Sequence, residues 1–427
     1  MSSTRVLSAT SLDIIAEYSS SNIATVHAGY RTVSTSSFAT ISSQETVEIP
    51  DELNSQEALE FCGFGEDTAR LLVEHWEWLQ THGREGQHGF GDDIIIIARQ
   101  HVKDRAILRD AWLEYQDWEG VLRYLGMSEE AVVGIMNPEC RVVRLMASAS
   151  EWVLDTIDMN FEFLTTLDKR IRKKRLEIER AYSPAPDVQP SPALRPNQPL
   201  TGGLHISHPS TIAADEVEPP IEVEGRTMLY KGGTYSRLLS IFRPDGSLNL
   251  TDIFSTPPTD FHPSHSLVYF GKQKEVADMY AIFAESRSSR VRDGAIMYVA
   301  IPNTWLDNAH SIFNPDWKQL VWLSRNRRAF LERLSASPTA IPEELVSYTT
   351  APILLGAICC MSTNQIQRLD SADDIRDLRL SNGNKGTQVV LQTQDAFARF
   401  LRECQGYVWV QKWDSQLAYT YPPNSSA

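Results

Sequence analysis

The sequence predicts a multidomain protein, an all-α helical bundle over residues 50–182 followed by an α+β module over residues 222–423. Three observations predict it. Residues 183–221 carry Pro184, Pro186, Pro190, Pro192, Pro196, Pro199, Pro209, Pro219 and Pro220 with few large apolar side chains, the composition of a linker. Before that stretch, apolar residues recur at helical spacing; after it, short β-rich runs mix with helices. A chain of 427 residues also exceeds what one core normally organises.

Residues 1–49 read as a Ser/Thr-rich disordered tail, short of the large apolar side chains that would offset the entropy of ordering it. From Pro50 the pattern turns helical. Asn54 or Ser55 supplies a cap, and Leu59, Leu71, Leu72, Trp76 and Leu79 make an interrupted stripe that ends at the break Gly83–Gly91. A second helix opens at Asp92 or Asp93, and a third spans 106–126 and stops at Gly126. Ser128 starts a short helix that reaches Met136 and ends at Pro138. Residues 141–180 form the longest stripe, from Val142 through Trp152, Ile157 and Leu164 to Ile171. A bundle of helices follows, its Trp and Met residues read as core. His75, His82, His88 and His101 share no one-face spacing with acidic partners, so no metal site is assigned there.

In the second part the expected strands are Thr227–Tyr230, Ser266–Phe270, Ala295–Ile301, Gln319–Leu323, Ile353–Met361, Thr387–Gln392 and Tyr407–Gln411. Helices are expected at 274–285, Glu343–Tyr348 and Gln394–Glu403. Strands and helices do not alternate strictly, which favours α+β over a doubly wound parallel sheet.

Composition excludes several classes. A net charge of −15 argues against nucleic acid and anionic membrane partners. The basic run Lys169, Arg170, Arg172, Lys173, Lys174 and Arg175 reads first as a solvated helix end, with a nuclear import signal or polyanion site as the alternative. No apolar run approaches the roughly 18–20 residues that span a bilayer, and the N-terminus lacks a secretory pattern, so a cytoplasmic or nuclear location is expected. Five cysteines without paired spacing fit reduced thiols, with Cys359 and Cys360 as core residues. There is no phosphate-binding loop, serine-hydrolase elbow or zinc-protease motif.

Three segments carry chemistry. Leu229-Tyr230-Lys231-Gly232-Gly233-Thr234 ends a strand in a polar side chain and two glycines, which let a ligand approach the backbone closely or simply form a tight turn. Ser266–Gly271 ends a strand in Tyr269 and Phe270 just before a helix, and an aromatic there can stack on a planar ring. Asp316–Trp322 runs from polar to apolar.

Together these segments, within residues 225–325, resemble the ADP-ribosyltransferase superfamily. The whole chain is similar to fungal proteins that join a helical N-terminal part to such a module. The resemblance implies an NAD-dependent ADP-ribosyltransferase or NAD glycohydrolase, or a pseudoenzyme of that fold. It places Lys231 where a His or Arg holds the ribose or phosphates, Gly232 where a backbone receives the nicotinamide amide, and Tyr269 where an aromatic stacks on the nicotinamide. Gln319 falls on the catalytic glutamate. Cleaving the nicotinamide–ribose bond creates an oxocarbenium-like centre that a carboxylate stabilises. The amide of Gln319 carries no charge, and losing one preorganised electrostatic group costs on the order of 10²–10³ in rate. Asp316, Glu275 and Asp278 are the candidate replacement acids.

Three functions stay open: a transferase or NAD-cleaving enzyme, a non-catalytic module of the same fold that binds a nucleotide or a protein partner through Lys231 and Tyr269, and an interaction scaffold whose helical bundle holds a protein partner.

Overall fold

The computed structural model describes residues 28–34, 46–82, 93–113, 117–182, 218–243, 245–289, 291–313, 315–336 and 341–413. The expected break Gly83–Gly91, the linker before Glu218 and the end of the second part after Trp413 lie outside the described residues. The helical part comprises β1 (Tyr30–Ser34), β2 (Thr46–Pro50), α1 (Gln56–Phe61), α2 (Glu66–His82), α3 (Ile94–Leu113), α4 (Trp118–Tyr124), α5 (Glu129–Met136), α6 (Arg141–Arg144) and α7 (Ala149–Tyr182).

Caps and glycines set these boundaries. The Ser55 hydroxyl accepts from the Ala58 N–H, and the Asn54 carboxamide caps the start of α3 at the Ile94 N–H. The helix expected to run unbroken from Ser55 instead stops at Cys62, because Gly63 adopts φ +109° and turns the chain. Phe64 then bridges Met127 beside Gly126, itself at φ +95°.

The tail reading needs correction. Tyr30–Ser34 pairs antiparallel with Thr46–Pro50, Ile49 is fully buried in the helical core, and the Tyr30 hydroxyl donates to Glu60. One aliphatic anchor and a ladder suffice there, a signal too small to register in a Ser/Thr-rich composition. Residues 1–27 and 35–45 lie outside the described residues.

The second part is a seven-stranded mixed sheet with helices on it. Its elements are β3 (Arg226–Thr234), α8 (Tyr235–Leu239), β4 (Val268–Gly271), α9 (Lys274–Arg287), β5 (Gly294–Pro302), α10 (Asn303–Asp307) and β6 (His310–Ile312). After them come α11 (Asp316–Arg325), α12 (Arg327–Ala336), α13 (Glu343–Thr350), β7 (Ile353–Ala357), α14 (Thr363–Ile366), β8 (Thr387–Leu391), α15 (Gln394–Glu403) and β9 (Val408–Lys412). The strand order is β6-β7-β8-β4-β3-β5-β9, antiparallel except for β6 with β7. One face buries Leu229, Phe270, Met297, Val389 and Phe400; the other packs Val390, Leu354 and Trp317.

One expected strand is a helix. Gln319–Leu323 lies inside α11, which follows Pro315 and Asp316 and buries Trp317, Leu320, Val321 and Ser324 at helical spacing.

The two parts are packed together. Trp152 of α7 meets Phe283 of α9 edge-to-face at 4.7 Å, inside the helical core. Gly134 of α5 lies so near α9 that a Cβ there would stand 2.1 Å from the Ser286 carbonyl oxygen. Between these contacts runs a polar seam. Asp155 binds Arg237 and Arg287, each at 2.8 Å, and Glu162 binds Arg237 at 2.9 Å. Burial pushes the Asp155 carboxyl up, but the two guanidiniums outweigh it and hold the group well below the usual range. Arg287 sits over the Trp152 and Phe283 rings, so the seam is paired and stacked as a buried charge requires.

Candidate functional site

The site arises where β3 and β4 part. These neighbours share a single bridge, Tyr230 with Gly271, although β3 pairs with β5 along its whole length. At its other end β4 bridges Phe254 instead, through Val268. In the gap the Lys231 ammonium donates to the Tyr269 carbonyl oxygen at 3.2 Å. A cavity of about 290 Å³ opens there, lined by Tyr230, Lys231 and Gly232 from β3 and by Tyr269, Phe270 and Gly271 from β4. Val276, Ala277 and Tyr280 of α9 form one wall, and Thr256, Thr259, Asp260, Arg325, Cys359 and Gln388 form another.

Lys231, Gly232 and Tyr269, named from sequence, therefore line one cavity. Lys231 makes no ion pair within the described residues, and burial, aided by Arg237, lowers its pKa to about 8. A cation held this way favours an anion as its missing partner. The Tyr269 ring is half-buried and stacks on Phe261 at 6.2 Å, while its hydroxyl is buried without a hydrogen bond of good geometry. Burial pushes that phenol far above its ordinary value, so it stays neutral. Gly232 has a packing explanation: a Cβ there would meet the Ala277 carbonyl oxygen at 2.0 Å. Its lack of a side chain serves the seating of α9 on β3, and a ligand meets its backbone only.

The carboxylate of the site was not read from sequence. Asp260, in the loop before β4, takes Arg325 at 3.0 Å on one oxygen, and the Cys359 N–H and the Gln388 amide, at 3.1 and 2.9 Å, on the other. Arg325 also donates to Thr363 and to the Met146 carbonyl, and Met146 itself lines the cavity, so the helical part completes one wall. The Tyr280 hydroxyl contacts the Met146 sulfur at 3.2 Å, and burial raises that phenol to about 12. The Cys359 thiol is likewise pushed up to about 12, first by burial, and is no nucleophile at neutral pH. Asp260, Arg325, Gln388 and Met146 come from segments far apart in the chain; only topology joins them.

Gln319 is not part of this cavity. It lies on α11, where its N–H bonds the Pro315 carbonyl, and not at the strand entry expected from sequence. None of the candidate replacement acids lines the cavity either: Asp316 accepts from the Tyr348 hydroxyl, Glu275 from the Ser381 N–H, and Asp278 from Lys274. His262 and His265 stack on each other at 3.8 Å in the loop outside it. Among the described residues no group of three or more His, Cys, Asp or Glu is placed to hold a metal, and no helix is long and apolar enough to cross a membrane.

The chain matches no protein-family model, no curated protein and no solved structure.

Proposed function

We propose that the chain is an ADP-ribosyltransferase-like module that binds NAD at the β3–β4 cavity without cleaving it. The convergence of Lys231, Gly232 and Tyr269 on one cavity supports this reading. Lys231 meets a phosphate or ribose oxygen as a point charge, and the Tyr269 ring faces the planar nicotinamide. The cavity volume of about 290 Å³ lies near the lower end for small-molecule sites, so it takes the nicotinamide end and leaves the adenosine outside.

Binding without turnover follows from the carboxylates. An oxocarbenium-like centre needs a negative charge free to face it. Asp260 is the carboxylate in the wall, and Arg325, the Cys359 N–H and Gln388 already use both of its oxygens. Calorimetric titration of the full chain with NAD, with nicotinamide release followed in the same samples, tests this. Saturable binding with no release agrees with it; sustained nicotinamide release refutes the non-catalytic part, and no binding at millimolar NAD refutes the whole.

A further inference from the structure

Beside the cavity, the sheet face that seats α9 carries a half-buried aromatic corner. The β3–β5 register sets Tyr230 opposite Tyr298, so both rings stand on the face that holds Gly232. Their centroids lie 5.6 Å apart and their planes cross at 75°, two walls meeting near a right angle. Helix α9 presents only Ala277 and Ala281 to the sheet here, and Trp413 borders the same small apolar cluster. Tyr230, Tyr298 and Trp413 all remain half-buried. Among the described residues neither phenol makes a hydrogen bond and no lysine or arginine stands over either ring.

One carboxylate, Asp278, acts on both phenols, and Lys274 already pairs with it. Asp278 of α9 spends Oδ1 on Lys274 at 2.7 Å and leaves Oδ2 without a partner. Burial first and Asp278 next raise both phenols, and Glu218 adds to the effect at Tyr298. Ring faces are electronegative and attract a cation. A flat guanidinium stacks on one ring and leaves the other wall empty, whereas a tetrahedral alkylammonium touches both walls at once.

We propose that the corner formed by Tyr230 and Tyr298 binds an alkylated ammonium group. This site shares Tyr230 with the NAD cavity but does not rest on the NAD reading.

Titrating the full chain with choline, and in parallel with its neutral isostere 3,3-dimethyl-1-butanol, tests it by ligand-observed NMR. Saturable choline binding at least about tenfold tighter than the isostere is expected, as is a loss of about tenfold in Tyr298→Leu. Equal affinity for the two ligands, no saturable choline binding, or choline binding that survives Tyr298→Leu in a folded variant overturns the proposal. The isostere comparison uses the unaltered chain, so it decides the matter even where a variant fails to fold. The outcome is also independent of whether NAD binds.

Discussion

At Lys231, the proposed function and stability pull in opposite directions. Its folded pKa of about 8 lies below the ordinary 10.5, so the unfolded chain binds more protons between those values. The contribution of this residue to stability is therefore unfavourable below about pH 8 and is relieved as pH rises toward 10.5. Lys231→Met is expected to raise the melting temperature at pH 7 while weakening NAD binding at least about tenfold, the usual trade at a strained binding site. Differential scanning calorimetry and NAD titration check both halves. NAD affinity itself is expected to hold steady below about pH 8 and fall above it as the ammonium loses its proton, a profile that isothermal titration across pH 6.5–9.5 reads directly. Lys231, Gly232 and Tyr269 announced themselves because glycines and aromatics at strand ends are local signals. Asp260, Arg325 and Gln388 had none: each is an ordinary polar residue until the sheet brings it to the cavity.

Among the elements, α9 is the hinge of the arrangement. It seats on β3 at Gly232, meets α5 at Gly134, and carries Arg287 into the seam with α7. In a free helix Gly134→Ala would gain about 1 kcal/mol. Here the new Cβ would fall 2.1 Å from a carbonyl oxygen, and overpacking of that kind costs about 1–3 kcal/mol, so a net destabilisation is expected in urea unfolding. The Asp155 seam adds a pH signature. Because its folded pKa is depressed, its stabilising effect is present above the ordinary carboxylate range and is lost as pH falls through the depressed value. Asp158 and Glu162, raised by burial, act in the opposite sense at mildly acid pH. Arg287→Met leaves the partly exposed Asp155 with Arg237 as its remaining partner, and the loss of one charged hydrogen-bonding partner is expected to cost about 1–2 kcal/mol. Most strands and helices of the second part lie where their alternation and caps predict. The failure at Gln319–Leu323 has a plain cause: a short apolar run fits a strand or a buried helix equally, and the deciding signs were Pro315 and Asp316 at its start.

For the whole molecule, residues 183–221 have a linker's composition, which by itself leaves two modules free to move. The interface is what periodicity cannot show: Trp152, Asp155 and Thr156 face α9, and Met146 closes a wall of the cavity. A protease site inserted between residues 183 and 217 and then cut is therefore expected to leave both fragments in one complex on native gel filtration, with NAD binding retained. The most direct test of the central claim is the rate of reductive methylation of Lys231, followed by mass spectrometry with and without NAD. Saturating NAD should slow labelling of Lys231 selectively, with half-protection at the dissociation constant of NAD. If NAD binds the chain yet leaves the Lys231 rate unchanged, the ligand sits elsewhere and the β3–β4 cavity is not its site.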